Sequence, residues 1–245
     1  YMTNKYMYFI ANWKMFGNLK TLNSLNKVIS FVKKFKKNKI KLIYCPPATL
    51  LNPLSKKLKL TSIQIGAQNC HESDNYGANT GQINSSMIKA VGAKYVILGH
   101  SENRKLGEKD NLINLKIKNS IKSGLKIIFC VGESLNQKRK MKTKKILSRQ
   151  ISQGLKKIKN KKDIIIAYEP IWAIGSGLIP KEYEIFEIVK FIKSKVKGSK
   201  VLYGGSVNKE NIKTLRKINN VDGFLIGGAS QNSNNFIDII KKTFN

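Results

Sequence analysis

The sequence predicts an α/β fold of the (β/α)8-barrel class, a single domain spanning residues 1–245. Three observations carry that expectation. Short apolar, β-branched runs recur eight times, segments of helical periodicity lie between most of them, and the runs are nearly continuous in apolar residues rather than alternating. Strand and helix in succession mean parallel strands covered by helices. Continuous apolar runs are what strands buried on both faces show. Eight such units in 245 residues match a closed barrel, with an open doubly wound sheet as the competing arrangement. No Pro- or Ser-rich linker and no shift in composition divides the chain. Tyr1 stands ahead of Met2 and is taken as an added or numbering residue without weight.

The first run is YFIANW (Tyr8–Trp13), after which Leu22, Leu25, Ile29, Val32 and Phe35 recur at helical spacing. KLIYCPP (Lys41–Pro47), SIQIGAQ (Ser62–Gln68), YVILGH (Tyr95–His100), KIIFCVGE (Lys126–Glu133) and IIIAYEP (Ile164–Pro170) follow in order. Ile185, Ile188, Val189, Ile192 and Val196 mark a helix before KVLYGGS (Lys200–Ser206) and GFLIGGAS (Gly223–Ser230) close the series. In a barrel the loops leaving the strands' C-terminal ends form one mouth, so functional groups should collect there. Asn12 and Lys14 end the first run, His100 and Ser101 follow the fourth, and Glu169 ends the sixth. Glycine pairs close the seventh (Gly204, Gly205) and the eighth (Gly227, Gly228).

Those residue types define a chemistry. Backbone N–H groups at glycine pairs can approach an anion without Cβ obstruction, and barrel phosphate sites commonly lie after the last two strands. Lys14 adds a point charge. Glu169 precedes Pro170, which favours an extended conformation and places the carboxylate at a strand's last position. Shielded from water at an apolar mouth, such a carboxylate becomes a stronger base. One base, one imidazole and one lysine around a phosphate pocket suit proton abstraction next to a carbonyl. The GSG of Gly175–Gly177 is too short for a dinucleotide fingerprint, so hydride transfer and a cofactor are not expected. Two histidines, His71 and His100, lie too far apart to suggest a zinc site.

Composition limits the other classes. No apolar run approaches the roughly 20 residues of a membrane span, and no export signal opens the chain, so a cytoplasmic protein is expected. Cys45, Cys70 and Cys130 lack metal-site spacing and read as small buried thiols. The net charge of +32 suggests a polyanion partner at face value. Only four of the 46 basic residues are Arg, however, and a Lys-, Asn- and Ile-rich chain is what an A+T-rich coding sequence gives. The densest run, Lys138–Lys145, falls in a helical pattern, reads as a solvated face and lacks interleaved aromatics. Specific nucleic-acid binding is therefore not expected; another phosphate-binding barrel enzyme is the nearer alternative.

NWKM (Asn12–Met15), GHSENR (Gly99–Arg104), AYEPIWAIGSG (Ala167–Gly177), YGGSV (Tyr203–Val207) and IGGAS (Ile226–Ser230) together resemble the triosephosphate isomerase family in order and spacing. The resemblance spans the chain and implies a TIM barrel. It implies interconversion of dihydroxyacetone phosphate and D-glyceraldehyde 3-phosphate in glycolysis and gluconeogenesis, through an enediolate and without metal or organic cofactor. The family is itself the standard example of a Glu base beside a neutral His electrophile, and these roles are carried over from it. Glu169 would move the proton, neutral His100 would polarise the carbonyl, and Lys14 and Asn12 would stabilise the substrate's oxygens. Backbone at Gly175, Ser206, Gly227 and Gly228 would hold the phosphoryl group, with Ser101 and Glu102 in support. Pro170, Ile171, Trp172, Ala173, Ile174, Gly175, Ser176 and Gly177 would form a lid, rigid at its start and permissive at its tip.

Three departures accompany the resemblance. Gln82 and Asn103 are neutral where the family commonly carries an acid and an Arg, and Leu178-Ile179-Pro180 replaces a Lys-led far hinge. The segment Asp74–Thr80 docks into the partner in family dimers, so a homodimer is expected with Thr80 near the other subunit's site. The neutral pair at Gln82 and Asn103 removes an ionic contact from it.

Overall fold

The computed structural model describes residues 6–35 and 40–244, so Tyr1 lies outside the described residues. All eight apolar runs form strands: β1 (Met7–Asn12), β2 (Ile40–Cys45), β3 (Gln64–Ala67), β4 (Tyr95–Leu98), β5 (Lys126–Val131), β6 (Ile164–Tyr168), β7 (Lys200–Tyr203) and β8 (Gly223–Ile226). The helices are α1 (Leu25–Lys34), α2 (Leu51–Leu58), α3 (Ser85–Ala90), α4 (Ser101–Lys105), α5 (Asp110–Lys122), α6 (Leu135–Arg139), α7 (Thr143–Gly154), α8 (Glu182–Lys195), α9 (Ile212–Lys217) and α10 (Ser233–Phe244). The strands are parallel and follow sequence order. β8 pairs back onto β1 with Phe9 opposite Phe224, closing the barrel and excluding the open sheet.

Period-two alternation divides the strand side chains between two cores. Tyr8, Ile10, Ile43, Cys45, Tyr95, Ile97, Ile128, Cys130, Ile165, Ala167, Leu202 and Leu225 fill the barrel interior. Phe9, Ala11, Leu42, Tyr44, Phe129, Ile166 and Val201 point outward into the larger core shared with the helices, where Leu25, Ile113, Leu147, Val189 and Phe236 meet them. Both faces of each strand are thus buried, which is why the strands read as continuous apolar runs. Each large side chain so buried contributes about 1.5–3 kcal/mol relative to exposure. All three cysteines are buried and unpaired, as expected for small packing groups.

The basic run departs from its expected place in one helix. Lys138 and Arg139 end α6, Met141 takes a positive φ of 55°, and α7 begins at Thr143. Lys138 is not simply solvated either: its Nζ stands 3.9 Å from the Trp172 ring centroid and 3.0 Å from Glu184 Oε1. Among the described residues no helix is long and apolar enough to cross a membrane.

Candidate active site

The alternation that fills the barrel also aims its functional groups. Tyr8 and Ile10 point inward, so Asn12 does as well, at the mouth; Ile165 and Ala167 point inward, so Glu169 follows. On β4 the same register would send His100 outward. Gly99 intervenes with φ of 73°, a left-handed turn that re-aims the chain and brings His100 into the mouth. These side chains, with Lys14, Gly175, Ser206, Gly227 and Gly228, line a cavity of about 290 Å³. A larger hollow of about 470 Å³, bordered by Lys27, Phe31, Lys34 and Lys241 between α1 and α10, has no acid–base pair.

At the centre, His100 Nε2 lies 3.3 Å from Glu169 Oε1, with the two residues only 4% and 3% exposed. The other imidazole nitrogen, Nδ1, accepts the Glu102 N–H at 3.3 Å, where His100 caps the start of α4. Nδ1 is therefore the acceptor, and the proton of the neutral ring belongs on Nε2, facing the cavity. Burial disfavours the imidazolium, but the Glu169 carboxylate, with Glu102 behind it, outweighs burial and raises the His100 pKa above its ordinary value.

Lys14 is held from three sides. Its φ of 55° is left-handed, a conformation costing a non-glycine residue about 1–2 kcal/mol. Asn12 Oδ1 accepts its N–H at 3.1 Å, Gln68 Nε2 donates to its carbonyl at 2.9 Å, and Glu102 Oε1 receives its ammonium at 2.6 Å. Burial works against the Glu102 charge, yet Lys14, helped by His100 and Lys105, holds that carboxyl below the usual range. Ser101 is buried as the first residue of α4. Thr80 is exposed and does not line the cavity of its own chain.

The segment expected to form a lid leaves Glu169 through Pro170 and a 3-10 turn, Ile171–Ala173. Its tip is exposed from Gly175 to Ile179, with Gly175 and Gly177 at positive φ of 67° and 75°. Leu178 and Ile179 put apolar surface into solvent and Pro180 is buried, which gives the far hinge one fixed end. Ser206, expected to hold a phosphoryl group, lines the cavity with both of its donors turned to the expected lid segment. Its N–H donates to Ala173 O at 3.0 Å and its hydroxyl to the same oxygen at 2.6 Å, so the lid's first turn holds both donors.

Sequence reasoning missed several groups around these. Arg104 donates through Nε to Gly99 O at 2.7 Å and pairs with Asp110 at 2.6 Å, bracing the turn that aims His100. The Cys130 thiol faces Glu169; burial, then that carboxylate, push its pKa up. Glu133 is buried and accepts from Trp172 Nε1 at 2.9 Å and Tyr168 OH at 3.3 Å; burial raises its carboxyl against those two bonds. The Arg104 pairings span five and six residues, but the contacts of Cys130 and Glu133 join positions on different elements that no local spacing discloses. Among the described residues no set of three His, Cys, Asp or Glu side chains could hold a metal ion.

A parallel eight-stranded barrel with a carboxylate, an imidazole and a lysine at its C-terminal mouth, beside two glycine turns, defines a barrel enzyme of the acid–base class acting on a small anion. Comparison with known proteins makes the assignment specific. The family model "Triosephosphate isomerase" matches residues 7–243, and the chain belongs to that family. It is 40% identical over 244 residues to triosephosphate isomerase of Thermodesulfovibrio yellowstonii, covering 96% of this chain and 98% of that protein. The corresponding enzyme of Wolbachia pipientis wMel is 40% identical over 237 residues, 95% of this chain and 92% of the relative. The crystal structure of triosephosphate isomerase from Bartonella henselae superposes with a TM-score of 0.87 at 34% identity, over 96% of this chain and 98% of that one.

Proposed function

We propose that this protein interconverts dihydroxyacetone phosphate and D-glyceraldehyde 3-phosphate, with Glu169 as the base and His100 as the electrophile. The observation that carries the reading is the buried contact between Glu169 Oε1 and His100 Nε2, 3.3 Å apart in a cavity that also holds Lys14 and the Gly227–Gly228 turn. Glu169 takes a proton from the carbon beside the ketone; the C–H electron pair becomes the C=C bond of an enediolate, and the carbonyl oxygen takes the negative charge. His100 donates its Nε2 hydrogen bond to that oxygen, and Lys14 Nζ lowers the energy of the charge. His100 carries the proton of the neighbouring hydroxyl to this charged oxygen, and as the C=C bond takes up a proton from Glu169 at the former ketone carbon, the neighbouring C–O becomes the aldehyde and completes the isomerisation. Asn12 hydrogen-bonds a substrate oxygen, and backbone N–H groups at Gly175, Gly227 and Gly228 take the phosphoryl group. Ser206 joins them when the lid moves and releases its donors from Ala173 O.

A homodimer is part of the proposal. Met15 is wholly exposed beside Lys14, and Tyr76 is 77% exposed on the segment that carries Thr80. Gln68 ties the end of β3 to the Lys14 carbonyl, so these two loops are neighbours, and a second copy would cover their apolar groups. A cytoplasmic location accords with three unpaired, buried thiols.

The test is Glu169→Gln. Turnover should fall roughly 10²- to 10⁴-fold while the melting temperature stays close to that of the parent. Unchanged turnover would remove Glu169 from the role of base.

A further inference from the structure

Gln150 lies in the middle of α7, on its core-facing side between Leu147 and Ile151, and is only 5% exposed. It does not line the cavity. A buried amide costs stability unless both of its ends are paired. Both ends of this one go to a single residue. Gln150 Oε1 accepts the Gly132 N–H at 2.9 Å, and Gln150 Nε2 donates to the Gly132 carbonyl at 3.0 Å.

Gly132 follows β5 and touches the base directly. A Cβ built there would lie 1.7 Å from the Glu169 carbonyl oxygen and 2.6 Å from its carbonyl carbon, so the two main chains meet with no room for a side chain. The neighbours on either side continue the contact. Val131 O accepts the Glu169 N–H at 2.8 Å, and Glu133 O accepts the Ile171 N–H at 3.0 Å. Glu133 Oε1 also holds Trp172 Nε1, at 2.9 Å. The segment 131–133 is thus the bed on which both the Glu169 backbone and the lid's first turn rest, and its middle residue is clamped from outside the barrel.

We infer that Gln150 is a positioning residue for the isomerisation: by fixing both backbone groups of Gly132 it sets the placement of the Glu169 main chain and the anchorage of the lid's first hinge. This rests on the isomerase reading above. The planar amide supplies a donor and an acceptor side by side at every pH; Met supplies no donor and only a weak acceptor, and Glu regains the donor only when protonated.

The experiment measures isomerase kinetics of the wild-type protein, Gln150→Met and Gln150→Glu across pH, together with competitive inhibition by inorganic phosphate. Gln150→Met should lose roughly 10- to 100-fold in kcat, the scale of a displacement near 1 Å at a reacting group. Its KM and its inhibition constant for phosphate should change by less than its kcat, because the Gly227–Gly228 turn does not touch Gly132 and only Gly175, on the lid anchored through this segment, would carry the change to the phosphoryl end. Gln150→Glu should recover part of the lost kcat as pH falls, since the protonated carboxyl regains a hydrogen to donate to the Gly132 carbonyl. Wild-type kcat in either variant, with only a lowered melting temperature, overturns the inference. Failure of both variants to fold overturns it as well, since it puts the amide's role in the barrel wall alone. Absence of isomerase activity in the wild-type protein would sink the isomerase reading, whereas equal kcat in wild type and Gln150→Met sinks only this inference.

Discussion

Gly204→Ala changes no functional group and makes a sharp test of how tightly the base is placed. Gly204 ends the β7 turn with its N–H donated to Tyr168 O at 2.8 Å, and it is not among the glycines with positive φ, so alanine introduces no backbone strain. The added Cβ would lie 2.9 Å from Glu169 Cγ, 3.4 Å from Leu225 Cβ and 3.5 Å from Glu169 Oε1. Optimal carbon–carbon separations are about 3.5–4.0 Å, so the Glu169 side chain has to move by roughly 0.6–1 Å while Leu225 stays near ordinary contact. A displacement of that size at a reacting group costs on the order of 10- to 100-fold in rate, or about 1.4–2.7 kcal/mol of transition-state stabilisation. The assay is steady-state turnover of D-glyceraldehyde 3-phosphate coupled to a reductase for the ketone product, with a thermal melt to show that the barrel is intact. A folded variant with kcat within about a factor of two of the parent would refute the reasoning, since it would mean that the carboxylate tolerates displacement on this scale.

Lys14→Met should reduce kcat/KM by about 100- to 1000-fold, because it removes the lysine charge lining the cavity; steady-state kinetics reads this, and a loss below tenfold would speak against a role at the reacting oxygens. The raised pKa of His100 fixes a sign for stability: its contribution is fully present below the unfolded value of about 6.5 and is lost as pH rises through the higher folded value. Thermal melts from about pH 5.5 to 8.5 should show that loss in the parent and not in His100→Gln, and parallel profiles would count against the assignment. The paired change Gln82→Glu with Asn103→Arg should tighten the proposed dimer by roughly 3- to 10-fold, measured by sedimentation, and either change alone should do less. Equal effects of single and double changes would show that the two positions do not face one another.

The fold was legible because the barrel imposes one pattern eight times. Each strand is buried on both faces, so each reads as a continuous apolar run, and the two-residue period projects past the strand ends to Asn12 and Glu169. The same period fails at His100, where Gly99 turns the chain, and only the glycine itself marked that position. The groups that support the chemistry had no such signature. Gln150 sits in a helix among residues at core spacing, and its partner lies 18 positions away on another element. Cys130 is one more small apolar residue in its strand, and nothing local reveals that it faces Glu169. The direction in which the His100 pKa moves could not be read either, because it depends on the balance between burial and the Glu169 carboxylate across the barrel mouth. Ser206 makes the same point about donors: its place after β7 marked it for an anion, but the lid's Ala173 carbonyl holds its N–H and hydroxyl. An anion drawn to that turn must therefore compete with the lid's first hinge for two hydrogen bonds. On the proposed reading, that competition would couple capture of the substrate's phosphoryl end to movement of the segment that begins next to Glu169.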